Sequence, residues 1–124
     1  MNRQRRWRVL PMFLSTMLLY GCASASYIPK IEIENPTEYD LLVDVRATED
    51  ASRLQLGIVK KGRASVTEQV VDLGENWIFT FEYLGEEAGS ASVKRSELES
   101  AQWKFVIPEE VGNRLRERGV PASY

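Results

Sequence analysis

From Lys30 onward, apolar and polar residues alternate with a period of two, the spacing of a half-buried strand. Ile31 and Ile33 alternate with Lys30, Glu32 and Glu34. Asn35-Pro36-Thr37 supplies turn chemistry, with Pro fixing φ and Asn bonding its own backbone. Tyr39, Leu41, Val43 and Val45 then alternate with Asp40, Leu42, Asp44 and Arg46. Thr48 to Ser52 reads as a polar loop. Leu54, Leu56 and Ile58 form the inward set of the next strand, with Arg53 and Gln55 outward. Lys60-Lys61-Gly62 reads as a hairpin turn, and Val66, Val70 and Val71 mark a weaker strand. Leu73 to Asn76 is a further turn. The strongest pattern follows: Trp77, Phe79, Phe81 and Tyr83 share one face, and Ile78, Thr80, Glu82 and Leu84 the other. Gly85 to Gly89 reads as a loop, Ala91 and Val93 continue the alternation, and Ser96 to Gln102 is a polar stretch. Trp103, Phe105 and Ile107 make the last strand.

The pattern then changes period. Pro108-Glu109-Glu110 resembles a helix first turn, with Pro early and acids at the positive end of the dipole. Val111 and Leu115 share a face, arginines follow, and Gly119 ends the segment. Val120 to Tyr124 is expected to fray. About seven short strands at spacings near ten residues predict an all-β fold, a small antiparallel β-sandwich with a short C-terminal helix. The order Ile31–Asn35, Leu41–Val45, Leu54–Val59 with Gly62, and Trp77–Tyr83 resembles small bacterial lipoproteins that carry an immunoglobulin-like or transthyretin-like domain. The Cys–Trp–Cys signature of antibody domains is absent.

The first residues follow another logic. Arg3, Arg5, Arg6 and Arg8 precede a largely apolar stretch from Val9 to Tyr20, interrupted by Pro11. Spanning a bilayer takes about 20 apolar residues. A shorter run behind a basic front fits the hydrophobic region of a secretory signal. The run ends Leu19-Tyr20-Gly21-Cys22, and Cys22 is the only cysteine. This ending resembles the lipobox of bacterial lipoproteins. The resemblance implies cleavage before Cys22, with acyl chains on its sulfur and commonly its amine, and so a membrane anchor. It further implies the outer membrane, facing the periplasm, because Ala23 and not Asp follows the cysteine. The competing reading is an ordinary signal peptide cut after Ala23-Ser24-Ala25-Ser26. The chain divides into a signal over 1–21, a flexible tether over 22–29, a β-sandwich over 30–108, and a helix with a frayed tail over 109–124.

Charge and composition narrow the function. All 18 acidic residues and 12 of the 16 basic ones follow Gly21, leaving the processed chain at net charge −6. That balance argues against nucleic acid as a partner. The membrane is reached through lipid instead. There is no histidine, so a Ser-His-Asp triad, a Cys-His pair and imidazole metal sites cannot be built from this chain. No disulfide is available, so the domain depends on its apolar core.

The remaining candidates for chemistry are weak. Ser90 and Ser92 near Lys94 lack Ser-x-x-Lys spacing. The carboxylate pairs Glu49-Asp50, Glu86-Glu87 and Glu109-Glu110 are adjacent residues, which point apart on a strand and are solvated in loops, whereas glycoside hydrolysis needs opposed carboxyls. Asp72, Glu75 and Asn76 offer oxygen ligands for calcium but match no EF-hand loop. We therefore expect no enzyme, no metal and no cofactor. The aromatic set Trp77, Phe79, Phe81, Tyr83, Trp103 and Phe105 reads as core, with Trp77 or Tyr83 at the rim as the alternative glycan or small-ligand platform.

Four apolar residues fall on nominally polar faces: Leu42, Ile78, Leu84 and Val106. Either the Val111/Leu115 helix covers them, which the amphipathic tail favours, or they form a docking patch. The leading functional expectation is a lipid-anchored, non-enzymatic envelope module, either structural or an interaction module for an envelope protein partner.

Overall fold

The alternation is realised as seven strands in two sheets. The structure, a computed structural model, describes residues 26–124. The signal, the motif Leu19-Tyr20-Gly21-Cys22 and the first part of the tether lie outside the described residues. The elements are β1 (Tyr27–Glu34), β2 (Leu41–Arg46), β3 (Leu54–Val59), β4 (Ala64–Val71), β5 (Asn76–Tyr83), β6 (Glu86–Lys94), α1 (Arg95–Ser100), β7 (Lys104–Val106) and α2 (Glu109–Glu117). One sheet has the order β4-β1-β7 and the other β3-β2-β5-β6. All pairings are antiparallel except β1 with β7, which is parallel.

Strand β1 starts earlier than the alternation suggests. Tyr27 and Ile28 pair with Val71 and Val70, and Ile28 is buried, so residues 27–29 belong to the sandwich and not to the tether. The core lies between the sheets: Ile31 and Ile33 from one face Leu41, Val43, Phe79 and Phe81 from the other. Phe79 stacks on Phe105 across the interface, at 4.2 Å between ring centroids and 3° between planes.

The chain crosses between sheets after β1, and Asn35 holds that crossing. Its amide Nδ2 donates to the carbonyls of Tyr39 (2.7 Å) and Val59 (2.8 Å), and its Oδ1 accepts from the Thr37 amide (2.9 Å) and hydroxyl (2.7 Å). A buried Asn is stable only when so satisfied. The turn at Lys61-Gly62 also crosses between sheets, since β3 and β4 do not share one. It is therefore not the hairpin the sequence suggests.

Two segments depart from expectation near the C-terminus. The polar stretch after β6 contains α1, whose Glu97 carboxylate accepts from the Lys94 amide (2.9 Å) as in a capping box. The tail after α2 is tied down and not frayed. The Tyr39 hydroxyl donates to the Val120 carbonyl (2.7 Å), the Ser123 amide to the Glu38 carbonyl (2.9 Å), and the Asp40 amide to the Ser123 hydroxyl (2.9 Å).

Helix α2 does not cover the outward apolar residues, contrary to the expectation for an amphipathic tail. Val111 and Leu115 join the core. The inward residues of β6 are small, Ala88, Gly89 and Ala91 with Val93, and Val111 packs over Gly89. A Cβ on Gly89 would come within 3.2 Å of Val111 Cγ2.

Candidate functional site

The four outward apolar residues do not gather into one patch. Val106 lies on β7, in the sheet opposite Leu42. Ile78 is buried on the outer face of the four-stranded sheet, opposite Arg46 and four register positions from the Leu42–Glu82 pair, too far along β5 to join the groove. Leu42 and Leu84 do come to one groove. Together with Ile58 they line a groove of about 660 Å³ on the outer face of the four-stranded sheet. Its upper wall is the Pro121–Tyr124 segment, and Asp40, Lys60 and Glu82 stand at its rim.

Ile58 is the residue that sequence alternation misassigns. The alternation turns Ile58 inward with Leu54 and Leu56. In the structure Ile58 pairs with Leu42 and is 59% exposed, while Val59 takes the inward place opposite Leu41. The register shifts between Val43 and Asp44, and Gly57 opposite adopts φ +116°. A glycine inside a strand pattern marks such a bulge, and a one-residue shift reverses every later side chain. Gly57 was the available signal.

Leu84 is anomalous in two ways. The expected Gly85–Gly89 loop is a two-residue turn, Leu84-Gly85, with φ of 51° and 86°, and β6 begins at Glu86. Turns of this kind favour Asn, Asp or Gly at both positions. A leucine there is strained, and Leu84 is also 86% exposed. Neither backbone preference nor burial accounts for a leucine at this position.

Below the groove the same face carries charge. Arg53 reaches over the sheet to Asp44 (3.7 Å), Glu82 (3.4 Å) and Glu87 (3.7 Å). Asp44 is only 5% exposed. Its Oδ1, the Nε of Arg46 and the Oγ1 of Thr80 are the buried side-chain polar atoms without a partner among the described residues. All three side chains share this outer face, with Asp44 opposite Thr80. Burial pushes the Asp44 carboxyl above its ordinary value of 3.8, with Arg53 opposing and Glu82 reinforcing the shift. A carboxyl raised on folding binds more protons in the native state than in the unfolded one between 3.8 and its raised value. Stability therefore falls as pH rises through that window, and the cost persists above it. Asp44→Asn is expected to raise the Tm at pH 7 and to lose that advantage near pH 3, as thermal melts at both pH values would show. A face that keeps a destabilising carboxylate is not optimised for stability.

The other candidates are placed elsewhere. Asp72 spends its carboxylate on Arg95, whose Nη2 donates to Oδ2 at 2.7 Å, and on the Gly74 amide at 2.9 Å. The hydrogen bond from Arg95 holds its carboxyl below the usual range. Asp72 is thus an ion-pair partner and not a free ligand beside Glu75 and Asn76. Trp77 is 0% exposed and donates from Nε1 to the Gly74 carbonyl (3.0 Å), so it offers no face to a glycan. Tyr83 is half-buried, lines the groove and packs edge-on against Tyr39 at 5.2 Å. Trp103 packs against Trp77 at 5.5 Å under Arg95.

Fold and site together define a small β-sandwich with an open apolar groove at one end of one sheet. Comparison with protein-family models, with curated proteins and with solved structures finds no match.

Proposed function

We propose that the protein is an exported lipoprotein, anchored by acyl chains on Cys22 in the outer membrane and facing the periplasm. Its sandwich is a non-enzymatic interaction module that docks an envelope partner at the groove of Leu42, Ile58 and Leu84. The observation that carries this reading is Leu84, a strained and exposed leucine beside an open apolar groove. Local features that break the folding rules without structural return are where function is expected.

The direction of β1 supports the reading. Cys22 lies five residues before Tyr27, so the connection spans at most about 18 Å. Strand β1 then runs eight residues, about 23 Å at the usual rise per residue. Glu34 ends β1 at the same end of the sandwich as Val59, Arg63 and Tyr83, because Asn35 bonds both Val59 and Arg63. The groove thus sits at the end away from residue 27. An anchor at Cys22 would hold the opposite end near the lipid and present the groove outward.

A second reading, a small ligand or glycan in the same groove, is favoured by its volume, within the range of ligand pockets (about 300–1,000 Å³), and by Tyr83 in its lining.

Leu84→Asn tests the docking reading. Asn tolerates φ > 0, so the domain is expected to stay folded with an unchanged or higher Tm. A photo-crosslinker at position 58 in intact cells should give a protein adduct in the wild type and lose it in Leu84→Asn. Equal adduct yield in both, or none in the wild type, would overturn docking at the groove.

A further inference from the structure

The groove has an acidic neighbour on its own sheet face, and the two together define an occupant. Ile58, Leu42, Glu82 and Glu87 form one row across the sheet, because each pairs with the next. Neighbouring strands lie about 4.8 Å apart. An apolar half, Ile58 and Leu42 with Leu84 in the same groove, therefore adjoins an acidic half. Asp44 follows Leu42 on the same face of β2. On the other side, the turn after β3 carries Lys60, Lys61 and Arg63, with Asp40 at 3.8 Å from Lys60.

The acidic half is short of positive charge. Asp44, Glu82 and Glu87 converge on the guanidinium of Arg53, at 3.7, 3.4 and 3.7 Å. Arg46, next along the same face of β2, holds Glu49 at 3.2 Å. Three carboxylates against one guanidinium leave two negative charges unmatched. Arg53 meets none of them at the length of a charge-assisted hydrogen bond, about 2.7–2.9 Å. The Asp44 side chain is only 8% exposed, yet its Oδ1 has no partner among the described residues. A buried carboxylate oxygen without a donor is costly, and a second cation at this cluster would relieve it.

We propose that the groove takes a protein segment presenting an apolar side chain and, next to it on the same face, a lysine or arginine. The apolar side chain seats on Leu42, Ile58 and Leu84, and the cation bridges Glu82 and Glu87. Arg53 is then free to close on Asp44 and give the buried Oδ1 a donor. The spacing suits ordinary elements: side chains three or four apart on a helix lie about 5–6 Å apart, and alternate residues of a strand about 7 Å. The basic turn after β3 repels the same cation, so charge selects one orientation of the occupant. This deepens the docking reading above and rests on it.

The test is photo-crosslinking of the full-length protein at position 58 in intact cells, followed by sequencing of the crosslinked peptide. That peptide should hold a lysine or arginine within about four residues of the attachment point, one helical turn. Glu82→Gln and Glu87→Gln should each lower the adduct yield about fivefold, and Glu87→Lys at least about tenfold, because like charges then meet. Glu87 has a side chain 51% exposed, so its variants keep the fold even if thermal melts show that Glu82→Gln does not. Glu68→Gln removes the same charge from an exposed position on the other sheet and should leave the yield unchanged. A crosslinked segment without such a cation, a segment from a second copy of this chain, or Glu87 variants that crosslink as the wild type does would each overturn the proposal and leave docking at the groove intact. An adduct that contains no protein partner, or no adduct from the wild type, would overturn both.

Discussion

Phe79→Ala is expected to cost the domain about 3–5 kcal/mol, among the largest losses from a single truncation in this core. Phe79 is 0% exposed and sits at the centre of β5. Its ring stacks on Phe105 of the opposite sheet and lies 6.4 Å from Trp77 along its own strand. Strand β7, which carries Phe105, has only three residues and pairs with β1 alone. Its attachment to the sandwich therefore depends on side-chain stacking more than on its ladder. Removing the ring deletes the transfer free energy of a buried aromatic and leaves a void that two packed sheets cannot collapse around. A domain of this size has about 5–15 kcal/mol of total stability, and no disulfide limits the loss. Urea titration should show a lower midpoint with an unchanged slope. A loss below about 1 kcal/mol, the scale of an ordinary substitution, would mean that the sheets are not joined through this stack.

Where a strand turns its large apolar side chains to one face and mostly polar ones to the other, the alternation was readable. Strands β1, β2 and β5 present Ile31/Ile33, Leu41/Val43/Val45 and Trp77/Phe79/Phe81 inward, as their pattern indicates. Strand β4 was faint because only Val70 of its eight residues is buried. Helix α1 was hidden for a different reason. It is six residues long with one buried side chain, Leu98, and it is closed by backbone bonds from Gln102 to Glu99 (3.0 Å) and from Trp103 to Leu98 (2.7 Å). That C-terminal motif normally takes Gly, whereas here Gln102 and Trp103 adopt φ of 56° and 59°. No glycine marked the stop.

The site was legible in half. Period two correctly put Leu42 and Leu84 on an outer face, but it cannot say which strands are neighbours. Val106 consequently belongs to the other sheet and Ile78 to another level of the same one. Ile58 was lost to the bulge at Gly57. The tail was misread because its bonds join residues far apart in sequence, Tyr39 with Val120 and Asp40 with Ser123. Local propensity carries no trace of such contacts.

The proposed function depends most on a residue outside the described domain. Each buried methylene contributes about 0.8 kcal/mol to membrane binding, and one chain gives only marginal attachment. The two or three chains implied by the lipobox resemblance would make anchoring effectively permanent. From Cys22 onward the net charge is −6, and among the described residues no helix is long and apolar enough to cross a membrane. Losing the lipid should therefore move the protein from membrane to soluble fractions or arrest it as precursor, an all-or-none change. Cys22 is the only thiol in the chain, so the assignment is unambiguous. The deciding measurement is metabolic labelling with an alkynyl fatty acid, comparing the wild type with Cys22→Ser. The account predicts a labelled, membrane-bound wild type and an unlabelled, unprocessed variant. Label that persists in Cys22→Ser, or an unlabelled wild type cut after Ser26, would contradict it.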